Sequence, residues 1–138
     1  MNDYEAQETR IEMILGEDNL RVSAESLVMY RSYLQNSIVI PCELTGSEDF
    51  QWEEFYVLGP GDKKEYEELK KTRPSYTDVY NFMSFDEQIE DMPGLMVKVK
   101  RVSDRKQFVL PLADLKVTDT KSPNFQLIDD YSDWYVNY

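Results

Sequence analysis

The sequence predicts an α+β fold in which two N-terminal helices and one C-terminal helix pack on a small antiparallel sheet. Three observations predict this fold. Apolar residues recur at helical spacing near both ends of the chain, and residues 95–112 alternate between apolar and polar side chains as strands do. The third is composition: 41% apolar residues in 138 favour a packed core over a disordered acidic chain.

The two N-terminal helices have clear start or stop signals. Residues 4–15 carry apolar side chains at helical spacing, and Gly16 is a suitable C-terminal stop. Ser23 is a suitable N-cap for a second helix over residues 23–36. The apolar stripe of this second helix consists of Leu27, Tyr30 and Leu34.

The middle of the chain mixes strand and helix signals. Residues 37–45 are rich in β-branched side chains and predict a strand, and residues 52–59 predict a second, short one. Residues 62–71 have helix-forming composition with opposite charges at three- and four-residue spacing, so we expect a surface helix. Residues 72–93 show no clean period and predict a long connection with one strand near 80–86.

The last part of the chain predicts a hairpin followed by a helix. The SDRK turn separates two alternating strands within residues 95–112, and ADLKV then leads into one more short strand. Ser122 and Pro123 form a helix start, with a capping serine and proline at the first helical position. The apolar face of this helix consists of Leu127, Ile128, Tyr131, Trp134, Tyr135 and Tyr138. Its polar side carries Asp129, Asp130 and Asp133.

Three segments resemble a set of small bacterial proteins that often carry the label calcium-binding protein. They are RIEMIL (10–15), YLQNSIVIPCEL (33–44) and FVLPLADLKVTDTKSPNFQLIDDYSDWYVNY (108–138). The resemblance covers a little over a third of the chain. It implies an SH3-like barrel with flanking helices, in which the PLADL stretch is the turn before the last strand.

From its length, we expect the chain to form one domain over residues 1–138. Residues 1–36 would be its helical N-terminal part and residues 37–118 its barrel, with an insertion at 46–93 that shorter members of the set lack. Residues 119–138 would form the C-terminal helix.

Several chemistries are excluded by residue type. The chain has no histidine, so triads and zinc sites that need imidazole cannot form. Cys42, the single cysteine, lies in an apolar segment and is expected to be a buried, reduced core residue. The GPGDKK stretch lacks the spacing of a phosphate-binding loop. We therefore expect a protein that is not an enzyme and uses no cofactor.

The N-terminus is acidic, and no apolar run is long enough to span a membrane. With one cysteine and no leader pattern, we expect a cytoplasmic protein. A net charge of −12 repels nucleic acid and anionic membranes and favours a basic partner.

The loop patterns of calcium-binding proteins are absent from the sequence. An EF-hand needs Asp or Asn at fixed spacing, a glycine and a closing glutamate, and no segment fits. Looser acidic clusters are Glu48, Asp49, Glu53 and Glu54; Asp86, Glu87, Glu90 and Asp91; and Asp129, Asp130 and Asp133. We interpret them as solvated charged faces, so the sequence predicts no tight metal site.

The function that the sequence favours is protein interaction through an acidic, aromatic-bearing region. Rings supply contact area at low entropic cost, and carboxylates attract a basic partner. The candidate residues are Glu48, Asp49, Phe50, Trp52, Glu53, Glu54, Tyr76 and Tyr80. Two alternatives remain open: a decoy that imitates nucleic acid, as some phage inhibitors do, and a calcium-binding protein.

One basic stripe interrupts the acidic sequence. It consists of Lys98, Lys100, Arg101, Arg105 and Lys106. The stripe fits an acidic peptide or a phosphate backbone, but it also fits an edge hairpin that lysines protect from unwanted strand pairing. The second interpretation is favoured on sequence alone.

Overall fold

The computed structural model describes residues 2–90 and 92–138. Its helices are α1 (Asp3–Leu15), α2 (Ala24–Ser37), α3 (Glu54–Val57), α4 (Lys63–Leu69) and α5 (Pro123–Asn137). Its strands are β1 (Glu43–Gly46), β2 (Val79–Glu90), β3 (Gly94–Arg101), β4 (Gln107–Pro111) and β5 (Leu115–Val117). Short 3-10 turns cover Glu17–Asn19, Gln51–Glu53 and Leu112–Asp114.

The four longer helices confirm the predictions from capping and spacing. Gly16 ends α1 with a positive φ of 78°, a conformation that glycine adopts without strain. Ser23 caps α2 by accepting a hydrogen bond from the Ser26 N–H, and Asp62 caps α4 in the same way. Ser122 caps α5, whose first residue is Pro123.

The five strands form one antiparallel sheet in the order β4-β3-β2-β1-β5. The sheet is open, because β4 and β5 do not pair with each other in the described part of the chain. The expected closed SH3-like barrel is therefore not confirmed. However, the three residues Leu112–Asp114 link the two edge strands. Since three residues span only about 10 Å, the sheet must curl to bring its two edges close at this end.

The predicted strand over residues 37–45 is too long. β1 begins only at Glu43, and the preceding Val39 and Ile40 are exposed, so they do not contribute to the burial of Cys42. Proline 41 lacks an N–H, which prevents a regular ladder upstream of β1. The predicted burial of Cys42 is confirmed, and burial raises the pKa of its thiol to about 11.

The predicted strand over residues 52–59 is wrong. The segment forms a 3-10 turn followed by α3, because the Glu53 carboxylate accepts the Phe50 N–H at 3.3 Å and closes a helical turn. The predicted strand near residues 80–86 is confirmed, but it is longer than expected and takes up much of the predicted 72–93 connection. It forms β2, the longest strand, whose irregular register with β3 explains its missing period.

The core lies between the concave face of the sheet and helices α1, α2 and α5. Its largest fully buried side chains are Trp134, Tyr30, Tyr80 and Tyr131. Tyr30, Tyr131 and Trp134 contact one another at ring-centroid distances of 5.0–5.9 Å. The predicted apolar face of α5 is confirmed, except that Tyr138 at its end is exposed. In the described residues, no helix is long and apolar enough to cross a membrane.

We predict that Trp134→Ala destabilises the fold by about 3–5 kcal/mol, because it leaves a large cavity in the core. The indole of Trp134 is fully buried, and its Nε1–H donates to the Leu20 carbonyl at 2.6 Å. Chemical denaturation of both proteins measures the effect. A shift below about 1 kcal/mol would show that α5 does not close the core.

Candidate functional site

The predicted interaction residues divide into buried and exposed groups. Phe50 and Tyr80 belong to the core, and the Tyr80 hydroxyl donates to the Ser75 carbonyl at 2.7 Å. Glu53 is fully buried. These three side chains are therefore not on the surface where a partner would contact them.

Glu53 is a structural carboxylate that the sequence presents as a surface charge. One of its oxygens accepts the Tyr66 hydroxyl at 2.6 Å and the Ser75 hydroxyl at 2.7 Å. The other accepts the N–H groups of Phe50 at 3.3 Å and Tyr76 at 2.8 Å. Four donors satisfy a buried anion that no cation neutralises by direct ion pairing among the described residues.

Trp52 and Tyr76 are half-buried and help to hold the same segment. The Trp52 indole N–H donates to the Pro74 carbonyl at 2.6 Å, and its ring contacts Tyr66 at 5.7 Å between centroids. Gly46 lies so close to Tyr76 that an added Cβ would come within 2.5 Å of the Tyr76 Cα. Only glycine fits this approach, so Tyr76 is packed tightly onto the end of β1.

The remaining members of the predicted set, of which Asp49 is half-buried and Glu48 and Glu54 are exposed, line a cleft that we call the acidic cleft. Glu48, Asp49 and Glu54 contribute carboxylates from the 47–54 segment, and Asp114 contributes a fourth from the turn between β4 and β5. The cleft has a volume of about 530 Å³. Its remaining lining residues are Ser47, Gln51, Ala113, Tyr135 and Val136.

Backbone contacts position the carboxylates around the acidic cleft. The Ser47 N–H donates to the Asp114 carbonyl at 2.9 Å, which fixes the 47–54 segment against the Leu112–Asp114 turn. Partial burial, with a smaller contribution from the negative charge of Glu48, raises the pKa of Asp114. The cleft is thus a place where carboxylates repel one another and a cation would be favoured.

Asp114 is the member of the cleft that sequence reasoning missed. It lies in the ADLKV segment, which the sequence shows as a turn 60 or more positions from Glu48 and Asp49. Its only sequence signal is its place between two short strands, which does not reveal the distant segment beside it.

No three carboxylates or thiols in the described part of the chain stand in an arrangement that could already hold a metal ion. The side chains of the acidic cleft are oxygen donors of the type that calcium prefers, but they are not gathered around one point.

The C-terminal acidic cluster is the predicted solvated face only at Asp129 and Asp133, and the prediction is wrong for Asp130. Asp130 is buried and accepts two hydrogen bonds from the Arg10 guanidinium, at 2.7 and 2.9 Å. Asp129 and Asp133 are exposed. Partial burial and the charges of Asp133 and Asp130 raise the pKa of Asp129.

The remaining acidic cluster is described only in part. In this cluster, Asp91 lies outside the described residues, as does the side chain of Glu90. Asp86 and Glu87 offer backbone carbonyls to the Arg31 guanidinium, at 3.2 and 3.0 Å.

The predicted basic stripe is split by the structure. Arg101 is buried and forms ion pairs with Asp78 at 2.9 Å and Asp104 at 2.7 Å. Lys98 is exposed and Lys100 half-buried on the convex face of the sheet, opposite the core. The stripe on the surface therefore consists of lysines and Arg105 without Arg101.

Comparisons with known proteins support the fold and not a site. No family model matches this sequence, and no curated protein is significantly similar to it. One solved structure, described as "Calcium binding protein in the calcium-binding form", is similar with a TM-score of 0.63 and 16% identity, over 99% of this chain and 96% of that chain. The crystal structure of Anabaena CcbP is similar with a TM-score of 0.59 and 15% identity, over 97% and 92%. At these identities the similarity shows a shared fold.

We predict that Glu53→Gln destabilises the protein by about 1–3 kcal/mol, whereas the matched change Glu54→Gln stays within about 0.5 kcal/mol. A glutamine amide cannot accept from all four donors, so at least one buried polar group loses its partner. Glu54 is exposed and has no such network. Urea denaturation of the two variants tests this, and equal effects would rule out the structural role of Glu53.

Proposed function

We propose that this chain binds calcium ions in the acidic cleft with low affinity. The observation that carries the proposal is the nearly full-length similarity of the fold to a protein structure described as calcium-binding and in its calcium-binding form. The acidic cleft adds a donor set of the right chemistry, with four carboxylates on two segments that a backbone hydrogen bond holds together.

The residues of the cleft fit calcium by ligand type. Calcium takes six to eight oxygen ligands in flexible geometry, from carboxylates, side-chain amides, hydroxyls and waters. Glu48, Asp49, Glu54 and Asp114 would hold the ion, with Ser47 and Gln51 as further oxygen donors in the same cleft. The bound ion would supply positive charge that links the 47–54 segment to the Leu112–Asp114 turn.

The affinity is expected to be low because the carboxylates are not already gathered around one point. Ordering several flexible side chains costs conformational entropy when the ion binds. Less rigid sites of this kind bind calcium with dissociation constants of about 10⁻⁴–10⁻³ M. This agrees with the expectation from the sequence that no tight metal site exists.

We predict that Asp114→Asn weakens calcium binding about tenfold or more while slightly raising the stability of the calcium-free protein. The pKa of Asp114 is raised, so its ionised form is disfavoured in the fold and its contribution to stability falls as pH rises through that pKa. Calcium favours the ionised form, so wild-type affinity should also fall as the pH is lowered toward this pKa. Isothermal titration calorimetry and thermal denaturation measure the two effects.

The control is Glu12→Gln, which removes one exposed carboxylate from α1 that does not line the cleft. It has the same effect on net charge as Asp114→Asn and should leave calcium affinity unchanged. Equal weakening by both variants would indicate diffuse attraction to an acidic protein. A wild-type site at micromolar affinity, or no binding at millimolar calcium, would each contradict the proposed low-affinity site.

A second candidate function is protein binding beside the acidic cleft. Phe55 is 55% and Leu58 77% exposed, although both are large apolar side chains. They follow Glu54 by one and four residues, so a basic partner with apolar side chains would find both charge and contact area there. If the chain has this second function, Phe55→Ser should abolish capture of the partner from a lysate without lowering the stability of the fold. That the chain acts without catalysis stays a prediction.

A further inference from the structure

β4 is an edge strand whose outer side has no partner in the described part of the chain. It pairs only with β3, in a register that places Val109 opposite Lys98 and Gln107 opposite Lys100. The Arg101 N–H donates to the Lys106 carbonyl at 2.8 Å, so Arg101 and Lys106 are a hydrogen-bonded pair at the start of the β3–β4 ladder. Because bonded pairs alternate in antiparallel strands, the N–H and C=O groups of Gln107 and Val109 point away from β3.

The convex face beside this edge carries positive charge. Lys98 and Lys100 lie on β3, and Lys106 lies at the start of β4. None of the three forms an ion pair with a carboxylate that the structure describes. The nearby carboxylate of Asp104 is already bound by Arg101, at 2.7 Å. Unpaired lysines are gathered here although the chain has a net charge of −12.

We infer that β4 is a docking edge for an extended acidic peptide, which adds to the sheet as a sixth strand. Its backbone would pair with the free groups of Gln107 and Val109, as in other cases of strand addition. Its acidic side chains would lie on the convex face, next to Lys98 and Lys100. Alternate apolar side chains would lie on the opposite face, beside the half-buried ring of Phe108.

Charge decides between the acidic peptide and a second copy of the chain. Pairing two copies through β4 would place the lysines of one copy beside those of the other, and both chains carry a net charge of −12. Like charges across a strand pair are destabilising. A nucleic acid has no peptide backbone to pair with the free groups of Gln107 and Val109. An acidic peptide has one, and at physiological salt the charges of the protein more than about 10 Å from it are largely screened.

The side chain of Val109 supports an accessible edge. It is 48% exposed, and no other strand or loop backbone bonds to this residue in the described chain. Since its N–H is not used in pairing with β3, proline can replace it without breaking the existing ladder. Val109→Pro therefore removes the outward-pointing N–H to which a peptide would bind and leaves the fold intact.

The test uses a fluorescein-labelled peptide of about eight residues, the length of a strand, in which glutamate alternates with valine. Fluorescence anisotropy should show binding that weakens when salt rises from about 50 mM to about 500 mM. Val109→Pro should weaken binding about tenfold, whereas the matched Val109→Thr should not. The same peptide with lysine in place of glutamate should not bind.

A second experiment with the same peptide reverses the charge of two lysines at a time. Lys98→Glu with Lys100→Glu should weaken binding about tenfold or more. Lys63→Glu with Lys64→Glu, which makes the same change in net charge on the exposed start of α4, should have little effect. Binding that is equal in Val109→Pro and Val109→Thr, or that a single-stranded DNA of similar length reproduces, would overturn the inference. These outcomes are independent of calcium, since β4 does not line the acidic cleft.

Discussion

The buried guanidinium of Arg101 is the interaction on which the middle of this protein depends. The side chain is 3% exposed, and its five N–H groups make six hydrogen-bond contacts, with one N–H shared, to the carboxylates of Asp78 and Asp104 and to three backbone carbonyls. The carbonyls belong to Lys70, Lys71 and Arg73, just after α4. Arg101 thereby fastens the end of α4 to β2 and to the β3–β4 turn, and it lowers the pKa of Asp104 to about 2. Only an arginine, with its planar set of donors, can satisfy carboxylates and carbonyls in one plane.

Fixing this segment has consequences for both proposed surfaces. Glu53 holds the 47–54 segment to Ser75 and Tyr76, while Arg101 holds the following residues to the sheet. Together they place Glu48, Asp49 and Glu54 beside Asp114, although a flexible insertion would scatter them. Because Asp104 pairs with Arg101, it does not pair with the lysines of the convex face. These lysines have no ion-pair partner among the described residues. The acidic cleft and the basic β4 edge are thus separate surfaces, while the charges of Arg101, Asp78 and Asp104 are paired with one another.

The sequence predicts the elements whose signals are local. Caps, helical spacing and strict alternation identify α1, α2, α4, α5 and the β3–β4 hairpin because each depends on residues a few positions apart. Glu53 and Arg101 are missed because a buried charge looks like a surface charge until its partners, 22 to 31 residues away, are known. Likewise, the acidic cleft requires Asp114 to meet a segment more than 60 positions earlier, and whether the sheet closes depends on long-range pairing. Neither leaves a local pattern.

Hydrogen–deuterium exchange of wild type and Arg101→Met tests most directly whether Arg101 holds the middle segment. Removing the guanidinium leaves Asp78 and three carbonyls without their buried donor, so the amides of residues 62–78 should exchange faster. Those of α5, which rests on the aromatic core, should keep their protection. Arg105→Met is the control, because that exposed arginine lies in the same turn and has no such network. Unchanged exchange at residues 62–78, or an equal loss of protection in α5, would contradict the account.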